Sequence, residues 1–186
     1  MLLSVRERGD TVATFRAIEV RLMETLAAWV PSTPEMEAKL VFGAHIWDVA
    51  QHADLLGKRT QELRLPLQFS LKPCDAYTRI LDDLASTTIS RLRVVGFYDC
   101  MLPALDVRFR DYFSRVDTLL DDPTVRILQR IMFDTARMVA EGRALRDALP
   151  PADMNEHDWL SDLKRREASI GEIVVYQSVQ QRDSSA

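Results

Sequence analysis

Cysteine is almost missing: Cys74 and Cys100 are the only two among 186 residues. A disulfide framework is therefore excluded, and two isolated thiols point to a reducing, cytoplasmic compartment. Glycine and proline are sparse, at 6 and 8 residues, which excludes a repetitive or low-complexity chain. No apolar run approaches the ~20 residues of a membrane span. The first residues turn from apolar to charged within a few positions, so a secretory segment is not expected. An excess of basic charge is also lacking, since 24 Lys and Arg face 28 Asp and Glu for a net charge of −4. Nucleic-acid affinity rests mainly on neutralising phosphate, so this balance disfavours it. A membrane-surface role likewise has no cationic amphipathic stripe to carry it. What is present is 47% apolar and 28% charged residues, the balance of a globular domain. A chain this long buries roughly 70% of its unfolded surface and needs no staple to fold.

Punctuation divides the chain into helices. Asp10 or Thr11 can cap a first helix from Asp10 to Trp29, stopped by Pro31 and Pro34. Ser32-Thr33-Pro34-Glu35 offers a hydroxyl cap, an early proline and a carboxylate for a second helix ending near Leu63. A longer connection, Leu65–Lys72, leads to a short helix from Cys74 to Ala85. A third long helix is predicted over Thr87–Val116, broken or kinked by Pro103. Asp121-Asp122-Pro123-Thr124 opens a fourth, which Pro150-Pro151 ends. Asn155 caps a last helix that closes near Gly171. Ile173–Tyr176 is the one β-like run and reads as a docked tail. Two helix hairpins joined by a long connection make an all-α four-helix bundle with one long crossover and an extra C-terminal helix. The expected division is residues 1–152 for the bundle and 153–186 for a C-terminal helix and tail docking on it.

Polar residues stand on faces that should be apolar. The stripe of the first helix is Val12, Phe15, Glu19, Leu22, Leu26 and Trp29. Glu19 occupies a position that wants an apolar side chain, and a buried carboxylate needs a partner. The second helix centres on Phe42, Ile46, Val49, Ala53 and Leu56, with His45 and His52 on the inner flank and Asp48 near its boundary. His45 and His52 are about 10.5 Å apart along the axis, too far for one shared ion. Asp48 can share an ion with either histidine, at i+3 from His45 or i−4 from His52. The plainer alternative is hydrogen-bonded core histidines oriented by that carboxylate. The third helix points Tyr98, Leu105 and Phe109 inward. The fourth presents Leu128, Thr135, Met138, Gly142 and Leu145. Asp134 and Glu141 at its flank read as solvated ion pairs bridged by Arg137, and Gly142 as a close helix approach or room for a ligand.

The run His45-Ile-Trp-Asp48-Val-Ala-Gln-His52-Ala-Asp54, with Gly57-Lys58-Arg59, resembles the second helix of bacterial ferritin-like proteins. Asp122 to Asp134, Asp-Pro-Thr-Val-Arg-Ile-Leu-Gln-Arg-Ile-Met-Phe-Asp, resembles their fourth. The resemblance covers residues 10 to 149. It implies the ferritin-like fold and, for di-iron members, one Glu from each of two helices and Glu-x-x-His from each of the other two. Glu19 matches the first Glu and His52 the second-helix His. Val49 stands where that helix should carry its Glu. Thr135 and Met138 stand at the fourth-helix pair, and the third-helix position falls near Tyr98 or Asp99.

With the set incomplete, three readings follow. The first is an oxidoreductase on a small organic molecule, with iron held by Glu19, Asp48 and His52 and with Glu19, His45, His52 and Tyr98 at the chemistry. The second is metal-free acid–base catalysis by the buried His and Glu. The third is a non-catalytic ligand-binding or protein-interaction module whose polar groups fix helix register. The first requires three donors converging on one ion. The second requires a pocket with polar groups aimed at one point. The third requires histidines fully bonded to protein groups. A homodimer is the expected assembly.

Overall fold

The computed structural model describes residues 2–152 and 155–177, and it is all-helical. The elements are α1 (Val5–Ser32), α2 (Met36–Glu62), α3 (Asp75–Ala85), α4 (Ser90–Gly96), α5 (Leu102–Ser114), α6 (Asp122–Ala148) and α7 (Glu156–Ala168). A π-helical turn over Phe97–Met101 welds α4 to α5 into one long rod. Among the described residues no strand forms, and no helix is long and apolar enough to cross a membrane.

Side-chain contacts at the two ends fix the direction of the rods. At one end Arg59 of α2 reaches Thr124 and Asp121 at the start of α6, and Tyr112 of α5 donates to the same Asp121. Arg8 of α1 also lies beside it. At the other end Trp29 of α1 packs on Phe42 of α2. There Arg93 of α4 donates to Thr33, and Arg91 to the carbonyl of Leu149 past the end of α6. The four long rods therefore run up, down, down, up. Residues 63–89 carry the chain back along the length of the molecule, with Leu71 bonded to the Ala13 carbonyl and Asp82 of α3 to Arg21. The apolar stripes read from periodicity supply the core. Val12, Phe15, Leu22, Leu26, Trp29, Phe42, Val49 and Leu56 are buried, as are Leu105, Phe109, Leu128, Met138 and Leu145. Truncating a fully buried leucine such as Leu22 to alanine costs about 2–5 kcal/mol.

Three boundaries differ from expectation. α1 starts at Val5, because Ser4 and Glu7 close a capping box: the Ser4 N–H donates to Glu7 at 2.8 Å and the Glu7 N–H to Ser4 Oγ at 3.3 Å. Asp10 is thus an interior helical residue, fully buried, and it accepts the Gln177 N–H. Pro31 lies inside the last turn of α1. Thr33 does not cap α2; its hydroxyl donates back to the Trp29 carbonyl at 2.8 Å, and Glu35 precedes α2 without a side-chain cap. Pro103 does not break its rod. It has no N–H to give the carbonyl four residues back, and the chain absorbs this with the π turn just before it, where the Leu102 N–H reaches the Phe97 carbonyl.

α7 docks on α4 and α5. Arg91 pairs with Glu156, and Arg108 pairs with Glu167 at 2.7 Å. The segment that follows has no regular secondary structure: Ile173 and Val174 are buried, and the Ile173 carbonyl accepts from the Cys74 N–H. The expected boundary at residue 153 and the end of the tail, 178–186, lie outside the described residues.

Candidate functional site

α2 brings both interior histidines to α6, and α1 and the π turn complete the surroundings. His45 is fully buried. Its Nε2 lies 2.7 Å from a Glu141 carboxylate oxygen and its Nδ1 2.7 Å from the Tyr98 hydroxyl. A carboxylate only accepts, so Nε2 carries the proton, and in the neutral ring Nδ1 accepts from the tyrosine. Burial pulls the His45 pKa below its ordinary 6.5, outweighing the hydrogen bond and charge of Glu141. Burial, then the negative charges of Glu141 and Asp48, push the Tyr98 phenol well above its ordinary value. The chain of contacts continues outward, because Arg137 bridges Glu141 at 3.1 Å and Asp48 at 2.8 Å. Gly142 is needed here: a Cβ on it would stand 2.1 Å from Tyr98 Cγ. It serves as the close approach, and the tyrosine ring fills the space.

His52 sits one heptad further along α2, also buried. Glu19 of α1 faces its Nδ1 at 3.5 Å, and Asp134 of α6 faces its Nε2 at 3.4 Å. Burial opposes protonation of this ring, but the Glu19 and Asp134 carboxylates together outweigh it and raise the His52 pKa above 6.5. The imidazole thus lies between two carboxylates from different helices. Glu19 Oε2 is buried without a hydrogen-bond partner.

Of the residues expected to hold iron, Glu19 and His52 meet, while Asp48 turns to Arg137. Asp134 takes the second place beside His52, but no common centre results. Glu19 and Asp134 stand on opposite edges of the imidazole, and one ring cannot send both nitrogens to a single ion. Among the described residues, no group of three or more His, Cys, Asp or Glu side chains is placed to share a metal. As placed, Glu19, Asp48 and His52 do not converge on one point. Of the proposed catalytic set, His45 and Tyr98 form one cluster and Glu19 and His52 another. The surface pockets include one of about 380 Å³ between α1 and α3 and one of about 430 Å³ between α5 and α7. Neither these nor three further pockets are lined by Glu19, His45, His52 or Tyr98.

Sequence reasoning missed Glu141 and Asp134 as histidine partners. A signal was available: the two histidines are seven residues apart on α2, and the two acids are seven apart on α6. Equal spacing on antiparallel neighbours lets both pairs form together. Comparison with protein-family models, with curated proteins and with solved structures found no match.

Proposed function

We propose that the chain is a metal-free, ferritin-like helical protein that works by binding, as a protein-interaction module, and that its interior histidines lock two helix hairpins in register. The observation that carries this reading is that each interior imidazole lies between two side chains of other helices. Tyr98 and Glu141 take the nitrogens of His45, and Glu19 and Asp134 those of His52. With both nitrogens hydrogen-bonded at 2.7 Å, the His45 ring offers no lone pair to an ion and no free edge to a substrate. The up, down, down, up order and the long return connection support the ferritin-like architecture. Iron-dependent oxidation would need three donors around one ion, whereas these donors pair off. Acid–base catalysis would need a pocket beside the histidines, whereas the α1–α3 and α5–α7 pockets are lined by other residues. Free Cys74 and Cys100 suit the cytoplasmic setting expected from the sequence. Burial pushes the Cys100 thiol up to about 12, which keeps it an inert core side chain.

The test is metal analysis of the purified protein, as isolated and after anaerobic incubation with ferrous iron, alongside thermal unfolding of His45→Ala and His52→Ala. Substoichiometric background metal and a lowered melting temperature in both variants are expected. One equivalent of iron that disappears in His52→Ala would overturn the reading.

A further inference from the structure

The molecule already holds a peptide segment in a groove: its own residues 170–177, which follow α7 and have no regular secondary structure. The bonds to this strap show how the groove recognises it. The Ile173 carbonyl accepts from the Cys74 N–H at 2.8 Å, and the Gln177 N–H donates to the buried Asp10 carboxylate at 3.0 Å. Arg108 of α5 donates to the Ile170 and Gly171 carbonyls at 3.0 and 2.8 Å. Arg115, two turns further on, pairs with the Glu172 carboxylate at 2.8 Å and donates to the Tyr176 hydroxyl at 2.7 Å. Most of these bonds go to main-chain groups that any peptide offers, while Arg115 selects a carboxylate. Ile173 and Val174 are buried, and Glu172 and Val175 on either side of them are exposed.

The strap is held loosely for its length. Eight residues are ordered and two of them are buried, so little apolar burial offsets the conformational entropy of ordering the rest. A cavity of about 20 Å³ stays open beneath it, over Thr11, Phe15 and Tyr112, with Arg108 and Arg115 among its walls. Segments with few buried apolar contacts detach locally, without unfolding of the elements they lie on. We propose that the strap is an intramolecular blocker, and that the groove it leaves between α1, α5 and the start of α3 docks a partner peptide of the strap's own chemistry. That peptide supplies a carboxylate to Arg115 and, directly after it, two branched aliphatic side chains to the apolar floor. The occupant is the one the structure displays, since the groove is filled by Glu172, Ile173 and Val174 in that order. A tethered strap competes at high effective concentration, so a partner gains the groove only as the strap leaves it. The proposal rests on the reading of the chain as a binding module and supplies that module's face and partner chemistry.

Fluorescence anisotropy of a labelled peptide with the sequence of residues 170–177, Ile-Gly-Glu-Ile-Val-Val-Tyr-Gln, titrated with the full chain, tests it. The double variant Ile173→Asp with Val174→Asp takes the strap off the floor. It should bind the peptide about tenfold more tightly than the wild type, with the helical circular dichroism unchanged. Arg115→Ala added to that variant should weaken binding about fivefold, and a scrambled peptide should not bind. A double variant that ignores the peptide, or takes the scrambled one equally well, overturns the proposal. Should the double variant fail to fold, Glu172→Arg, which sets a cation against Arg115 from an exposed position, releases the strap in its place and is read the same way. Hydrogen exchange in the wild type supplies a second measurement: the Cys74 and Gln177 amides should exchange well ahead of the mid-helix amides of α1. Exchange of those two amides only with global unfolding overturns the blocker. Iron uptake would sink the binding-module reading while leaving the anisotropy result in place, so the two failures are distinct.

Discussion

Two buried polar clusters, one at the base of the rods and one at mid-height, are built to different tolerances. At the base Asp121 is fully buried, and its carboxylate accepts from Tyr112 at 2.5 Å, Arg59 at 2.8 Å and Thr124 at 2.9 Å, with Arg8 at 3.5 Å. At mid-height His52 is held at 3.4 and 3.5 Å, and a Glu19 oxygen is left without a hydrogen bond. The difference follows from position. Asp121 immediately precedes the first turn of α6, where the backbone is not yet committed and can bring the carboxylate onto its donors; it also complements the helix dipole. Glu19, His52 and Asp134 project from the middles of three rods whose separation is set by core packing, so their gaps are what the apolar layers leave. A polar cluster at a helix end can be drawn tight, and one in the span must accept the spacing it is given.

The strongest way to break this comparison is Asp121→Ala. It removes the acceptor shared by Arg59, Tyr112 and Thr124 and leaves the buried Arg59 guanidinium with Glu62 as its one remaining carboxylate, so a loss of about 3 kcal/mol is expected in urea unfolding. A loss under about 1 kcal/mol would show that the tight cluster contributes no more than a surface pair.

Titration sharpens the mid-height cluster with a smaller effect. His45 has a lowered pKa in the fold, so below about pH 6.5 the unfolded chain binds more protons and stability rises with pH. His52 has a raised pKa; its contribution is complete below its unfolded value near 6.5 and is lost as pH rises through its folded value. The two limbs place a stability maximum near pH 6.5. Unfolding free energies measured between about pH 5 and 8 should lose the acid limb in His45→Gln and the alkaline limb in His52→Gln. A profile unchanged in both variants would remove the imidazoles from the account. The smallest effect belongs to the surface rim. Asp48→Asn weakens a partly exposed contact with Arg137 and should cost about 1 kcal/mol or less in the same assay.

Much of the fold was legible. The inward stripes of all four long helices follow from 3.6-residue periodicity, and the interior placement of Glu19, His45, His52 and Tyr98 came from the same count. The Ser4–Glu7 capping box was also written in the chain, although the charges between Arg6 and Asp10 obscure it. The π turn was half legible: Pro103 requires an accommodation, but a broken helix and a wide turn have the same local signature. The Asp121 cluster was not recognisable, because Arg59 is 62 residues away in sequence and an Asp-Asp-Pro helix start looks the same whether exposed or buried. Asp134 and Glu141 read as solvent-facing acids for a related reason. A flank position becomes inner or outer only when a neighbouring helix covers it.

By itself the sequence determined where the helices lie and which side of each is buried, because periodicity, caps and prolines act within a few residues of chain. Only the tertiary structure decided which polar groups meet. That choice depends on which rods are neighbours, in which direction and at what height, and these are set by the packing of apolar layers from four distant segments. The two interior histidines were visible from the start, and their carboxylate partners became visible only once α2 and α6 lay antiparallel.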